Sequence, residues 1–282
     1  MPRSPVWAAV VPVKGGPLAK SRLALPRAVR ATLATAFARD TVTALREADR
    51  GMPVLVVTGD PDVASWAPTH GAEVVPDPGS GLDAAVAAGV AAAAGRGATH
   101  VAVVLGDHPA LRPEEVRVAL AAVAGVDRAV VPDAEGTGTA LLTLPAGPGV
   151  RTAFGAGSAA AHERLGHLRY LPPAPGLRQD VDDEGGLGVA VLLGVGSHTA
   201  AALARATLPG VQATIHREPG PEEPGAALLD DGLEVTVPPE AVAGSGLRHL
   251  RVGQRVTVEL DDDGRAATRV WVLGIGPGET IR

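Results

Sequence analysis

The sequence contains no cysteine, only two lysines among its basic residues, and very few aromatic side chains, 2% in all. Without thiols there is neither a disulfide framework nor a cysteine-ligated metal centre, a usage that fits a cytoplasmic protein. No apolar run reaches the roughly 18 residues that a membrane-spanning helix needs, and the first residues lack a secretory-signal layout, so no membrane association is expected. Positive charge is not in excess either. The formal net charge is −6, which removes the electrostatic footprint of a nucleic-acid binder. With aromatics scarce, the core must be aliphatic. A length of 282 residues leaves room for one large domain and one small one.

What is present centres on Val101-Ala102-Val103-Val104-Leu105-Gly106-Asp107-His108-Pro109. Five apolar residues read as a short strand buried on both faces. Gly106 turns the backbone, and Asp107 arrives where the strand runs out, the edge at which ligands bind in open α/β sheets. This stretch alone leaves two readings open: a metal ligand, or a surface acid capping the helix that begins near Pro113. The two lysines, Lys14 and Lys20, fall within one loop of a chain whose other cations are arginines. Compact point charges at that place suit a phosphate site.

In chain order, residues 6–13 form a first apolar strand that feeds the loop Lys14-Gly15-Gly16-Pro17-Leu18-Ala19-Lys20-Ser21-Arg22. Its glycines let backbone approach a ligand, and Lys14, Lys20 and Arg22 can neutralise phosphate charge, although the spacing is not that of a Walker A loop. Residues 28–50 read as a helix with inward positions Leu33, Phe37, Thr41 and Leu45, followed by strands at 54–57 and 72–75. The loop ending at Gly81 opens a helix at Leu82 and Asp83 that runs to about residue 94. That junction offers backbone amides to an anion or a base edge, while Asp83 equally suits the helix dipole. After the Asp107 stretch come a helix at 113–124, a strand at 129–132, and a polar turn, Gly136-Thr137-Gly138-Thr139, running into another strand. Phe154-Gly155-Ala156-Gly157-Ser158 leads into a helix carrying His162. Ser158 reads as its N-cap, with the preceding glycines freeing amides for a phosphate or carboxylate, or as a plain cap without a ligand. Asp180-Val181-Asp182 follows an extended segment, where a period of two puts both carboxylates on one side. Asp107, Asp180 and Asp182 can then meet on one hard cation. A helix at 187–206 closes this part. Alternating strands and helices imply an α/β domain with a mostly parallel, doubly wound, Rossmann-like sheet.

The domain boundaries read as 1–208, a linker at 209–224 rich in proline, glycine and glutamate, and 225–282. The last part carries two hairpin signals, Asp231-Gly232 and Asp263-Gly264, and reads as a small all-β module of some five strands, a barrel of the oligonucleotide-binding (OB) type. Its only aromatic is Trp271, and acids outnumber arginines, so it lacks a stacking platform for nucleic acid. It is expected to be a structural or oligomerising appendage.

Val11-Pro12-Val13-Lys14 through Lys20-Ser21-Arg22-Leu23, Gly106-Asp107-x-Pro109-Ala110-Leu111, Gly136-x-Gly138-Thr139, Phe154-Gly155-x-Gly157-Ser158 and Asp180-Val181-Asp182 occur in that order. Together, over about residues 5–206, they resemble the phosphoenolpyruvate and 2-phospho-L-lactate guanylyltransferases of coenzyme F-420 biosynthesis, relatives of the molybdenum-cofactor guanylyltransferases. The C-terminal module resembles a cold-shock-like domain. The resemblance implies a nucleotide-diphospho-sugar transferase fold, with GTP and Mg2+. It implies magnesium ligands at Asp107, Asp180 and Asp182, and acceptor contacts at Thr139, Gly155 and Ser158. The nucleotide is expected on Val13 and Lys14 and on the loop through Lys20 and Arg22, with its base near Gly81, Leu82 and Asp83. The expected reaction is GMP transfer from GTP to phosphoenolpyruvate, with 2-phospho-L-lactate as the alternative acceptor. A rival of another class, a GTP-binding regulator, would bind nucleotide without turnover and would not need Asp180 or Asp182.

Overall fold

Valine and alanine runs too short to form helices alternate with alanine-rich stretches punctuated by glycine and proline, and the chain follows that alternation. The computed structural model describes residues 5–14, 23, 25, 27–205, 211–243, 249–261 and 263–271. It divides into two compact units, Met1–Ala202 and Leu203–Arg282.

The first unit runs β1 (Trp7–Pro12), α1 (Arg27–Ala48), β2 (Val54–Thr58), α2 (Pro61–Trp66), β3 (Glu73–Pro76), α3 (Leu82–Ala94), β4 (His100–Val104) and α4 (Pro113–Val123). It continues with β5 (Ala129–Pro132), β6 (Thr139–Pro145), α5 (Ser158–Arg164), β7 (Leu168–Arg169), α6 (Pro175–Arg178), α7 (Glu184–Leu193) and α8 (Ser197–Arg205), which crosses the boundary between units. The sheet order is β3-β2-β1-β4-β6-β5-β7. Only β6 runs against the rest, pairing antiparallel with β4 and β5. The mostly parallel, doubly wound sheet read from the sequence is therefore present.

Successive strand residues feed opposite faces. Val11 and Val56 pack with Val42, Leu45, Trp66, Val116 and Leu120 beneath α1, α2 and α4. Val10, Leu55 and Val57 pack with Val86 and Val90 of α3 on the other face. All four inward positions expected on α1, from Leu33 to Leu45, are fully buried. Helix α3 lies so close to the sheet that a Cβ at Gly89 would collide with Val10.

The single helix expected at 187–206 is instead two, α7 and α8, broken at Gly194, whose φ is +93°. The break has a local cause. Gly196 donates its amide to Pro109 O at 2.8 Å, and a Cβ there would collide with the Asp40 carboxylate. That buried carboxylate accepts from His198 N at 3.0 Å and Thr199 N at 2.8 Å, so it supplies the N-terminal partners of α8 from a distant helix.

The second unit consists of β8 (Val211–Arg217), β9 (Gly225–Leu229), β10 (Glu234–Val237), α9 (Pro239–Ala243), β11 (Arg255–Leu260) and β12 (Ala267–Trp271). Part of the stretch read as a linker, residues 211–217, is thus a strand, held in the sheet because Ala213 and Ile215 enter the core of this unit. The antiparallel order is β10-β9-β8-β11-β12, and the two ends of that order meet at a parallel bridge, Thr236 to Ala266. With α9 between the third and fourth strands, this is the curled five-stranded arrangement of an OB-type barrel. No helix among the described residues is long and apolar enough to cross a membrane.

Candidate active site

Strand order reverses between β1 and β4, which are hydrogen-bonded neighbours, so the crevice for ligands opens at their carboxyl ends. Val13 and Gly106 lie side by side just past those ends, since a Cβ on Gly106 would sit 3.0 Å from Val13 Cγ2. The next residues are Lys14, which is exposed, and Asp107, which is half-buried. Lys20 and Arg22 lie outside the described residues. Val13 itself is a core residue, its amide donating to Val57 O at 2.9 Å. Its expected place at the nucleotide is therefore not through its side chain.

The three acids converge. One carboxylate oxygen each from Asp107, Asp180 and Asp182 lies within 4.8 Å of the others. Val181 explains how segments so far apart in sequence meet: its amide donates to Asp107 O at 3.0 Å, while its side chain is fully buried. The period of two read from the sequence thus holds, with Val181 turned inward and its neighbours turned to the cluster. Asp183 has a different task, capping α7 by accepting from Gly186 N at 2.9 Å. Three oxygen donors of this kind match the preference of a hard divalent cation such as Mg2+, and among the described residues no softer ligand joins them.

Because β6 is antiparallel, its first residue, Thr139, comes to the same sheet edge as Asp107. The glycines of the turn before it are structural. Asp133 accepts from Thr137 N at 3.0 Å and from Gly138 N at 2.7 Å, and a Cβ on Gly138 would collide with that carboxylate. Thr139 is buried, with its hydroxyl 2.9 Å from Ser158 Oγ and 3.0 Å from His162 Nδ1. Ser158 is the first residue of α5 rather than its cap, a position taken by Gly157 at φ +70°. The amides expected to be free there are engaged: Ser158 N donates to Gly155 O and Ala159 N to Thr137 O, both at 3.1 Å. What this corner holds is a pair of buried, mutually bonded hydroxyls. Gly155, at φ +132°, is exposed beside them.

Gly81 caps α3 at φ +99°, with Gly81 and Leu82 exposed. Asp83 Oδ1 accepts from Thr152 Oγ1 at 2.6 Å and from Phe154 N at 3.0 Å. Asp83 therefore ties the start of α3 to the loop that carries Gly155. On the other side of that loop, His162 Nε2 accepts from Ala153 N at 3.0 Å. Burial, reinforced by His167 and opposed by Asp83, lowers the His162 pKa to about 4, so the ring is neutral near pH 7. Sequence reasoning placed His162 on this helix without giving it a role. The signal was its spacing: four residues after Ser158 on a helix puts both side chains on one face.

Residues 21–213 match the family described as the MobA-like NTP transferase domain. The chain is 46% identical over 211 residues to the phosphoenolpyruvate guanylyltransferase of Geodermatophilus obscurus, covering 72% of this chain and 96% of that protein. It is 47% identical over 200 residues to the protein of the same name in Salinispora arenicola, covering 69% and 92% respectively. Among solved structures it is similar to a nucleotide-diphospho-sugar transferase from Desulfovibrio desulfuricans G20, with a TM-score of 0.54 at 18% identity over 71% of this chain and 95% of that one, a likeness of fold. The chain belongs to the MobA-like NTP transferase family, in the group of the phosphoenolpyruvate guanylyltransferases.

Proposed function

We propose that this protein transfers GMP from GTP to phosphoenolpyruvate. A phosphate oxygen of the acceptor attacks the α-phosphorus of GTP, the bond from that phosphorus to the α–β bridging oxygen breaks, and pyrophosphate leaves. The observation that carries this reading is the meeting of Asp107, Asp180 and Asp182 at the switch point, three residues past the end of β4, whose neighbour β1 leads to Lys14. The names of the relatives supply guanine and phosphoenolpyruvate.

Such a transfer asks for little covalent work from the protein, so rate must come from placement and from offsetting charge. Asp107, Asp180 and Asp182 would hold Mg2+, which when bound supplies positive charge beside the phosphates. Lys14, Lys20 and Arg22 would offset the charge of the triphosphate. Gly81 and Leu82 border the base, and Asp83 braces the loop beside it. Thr139, Gly155 and Ser158 receive the anionic groups of the acceptor. A protein that only bound GTP would not need Asp180 or Asp182.

The test is pyrophosphate release on mixing the protein with GTP, magnesium and either phosphoenolpyruvate or 2-phospho-L-lactate. Release with phosphoenolpyruvate and its loss in Asp107→Asn are expected, the loss being a hundredfold or more, on the order of 3 kcal/mol. Release with 2-phospho-L-lactate alone would change the acceptor. GTP binding without release would refute the reaction.

A further inference from the structure

The order of protons in the buried corner can be read from one donor. Ala153 N is a backbone amide and can only donate, so His162 Nε2, 3.0 Å away, is the acceptor. A neutral ring then carries its proton on Nδ1, which lies 3.0 Å from Thr139 Oγ1 and donates to it. The proton of Thr139 goes on to Ser158 Oγ at 2.9 Å, the acceptor that the described residues offer it. Ser158 is left with its own proton to give. The chain is directional, from imidazole to threonine to serine, and it ends in a donor.

We propose that His162 is a positioning residue for the acceptor substrate: it sets the Thr139–Ser158 pair so that Ser158 presents a hydrogen-bond donor to an anionic oxygen. This rests on the acceptor corner assigned under the proposed function. An ionised phosphate or carboxylate can only accept, so a serine whose proton pointed back to Thr139 would meet it with a lone pair. The same ring pins Ala153, while Asp83 pins Phe154, so the loop before Gly155 is held from two sides. The groups facing the ring are Asp83, across the loop on α3, and His167, whose ring centre is 5.6 Å away, with the Phe154 ring edge-on at 4.8 Å. Protonation would set an Nε2–H against the Ala153 N–H. Burial keeps the ring neutral down to about pH 4.

Two substitutions separate the two nitrogens. His162→Asn keeps an amide donor near the Nδ1 position, and His162→Gln keeps a carbonyl oxygen near the Nε2 position. In the full-length protein with magnesium and GTP, Gln is expected to raise the KM for phosphoenolpyruvate about tenfold, Asn by less than about threefold, and neither is expected to move the KM for GTP. Equal acceptor KM values for wild type and both variants, or KM values for GTP and acceptor that rise together, would overturn the proposal. Long-range 1H–15N correlation of wild-type His162 at pH 7 decides it independently of any variant's folding: an Nδ1-protonated neutral ring is expected, and an Nε2-protonated or cationic ring overturns it. Wild-type turnover is the separate check on the proposed function. If 2-phospho-L-lactate alone reacts, the acceptor KM is read on that compound. If neither reacts, the reaction and the positioning role both fall, whatever the tautomer.

Discussion

Neutralising one acid of the Asp107–Asp180–Asp182 cluster should move stability in opposite directions with and without magnesium. At 4.8 Å, two like charges repel by about 0.9 kcal/mol in bulk water and about 3.5 kcal/mol at an effective permittivity near 20. Asp180 is half-buried and Asp182 exposed, so the pairs sit toward the lower value. Asp180→Asn removes two of the three repulsions and should relieve about 2 kcal/mol, a rise of roughly 4–8 °C in melting temperature for a unit of this size. In chelator the variant should therefore melt above wild type. A cation held only by the folded state stabilises by about 2.7 kcal/mol at one hundred times its dissociation constant. Wild type should gain that amount on titration with magnesium, and Asp180→Asn, short of a ligand, should gain much less, which closes or inverts the gap. Differential scanning fluorimetry in EDTA and across a magnesium series reads both effects. A variant that melts below wild type in EDTA yet shows the full magnesium shift would refute the reasoning, because Asp180 would then be a structural acid and no ligand.

Asp40→Asn replaces one of two amide-accepting oxygens with an N–H2 group and should cost about 2 kcal/mol in chemical denaturation, without changing the KM for GTP. Gly89→Ala pushes a methyl into Val10 and should cost about 1–3 kcal/mol, although Ala is the better helix former. The lowered pKa of His162 means that the unfolded chain takes up the proton first, so stability is complete above about pH 6.5 and falls as pH drops toward 4. His162→Gln should flatten that fall by about 1–2 kcal/mol near pH 5 in urea titrations at several pH values. A chain ending at residue 208 should retain guanylyl transfer, because every residue proposed to touch a substrate or metal lies before 183. A folded truncation without activity would give the second unit a part in the reaction.

Most strands and helices of the first unit were legible because each carries its own periodicity, whereas α2, β7 and α6, of six, two and four residues, are too short to show one and were not read. Val54–Val57 and Ala129–Pro132 are short buried runs, and Leu33, Phe37, Thr41 and Leu45 keep helical spacing. The break between α7 and α8 was not legible, since its cause is long-range: Asp40 and the Pro109 carbonyl fix Gly196 from elsewhere in the chain. Strand β8 was hidden for another reason. Its core residues, Ala213 and Ile215, lie between prolines and glycines whose local signal is that of a linker, and pairing with β9 and β11 decides the matter.

The site divides along the same line. A sequence makes its strand ends visible, and so the place of Asp107 and Thr139 at one sheet edge and the alternation of Asp180 with Asp182 could be read from it. It does not display which hydrogen bond a residue has already spent. Ser158 reads as a cap with open amides beyond glycines, yet its own amide closes a turn on Gly155 O, the next is given to Thr137 O, and its hydroxyl pairs with Thr139, which in turn meets His162. Asp83 reads as a base contact or a dipole partner, yet its Oδ1 is committed to Thr152 and Phe154. In each case the structure adds which groups the residue holds in place: Thr139, and through it His162, for Ser158, and Thr152 and Phe154 for Asp83. The first two amides of this seven-residue helix are already given to Gly155 O and Thr137 O, so under the proposed function an anion in this corner is expected to meet hydroxyls and a braced loop rather than the helix start.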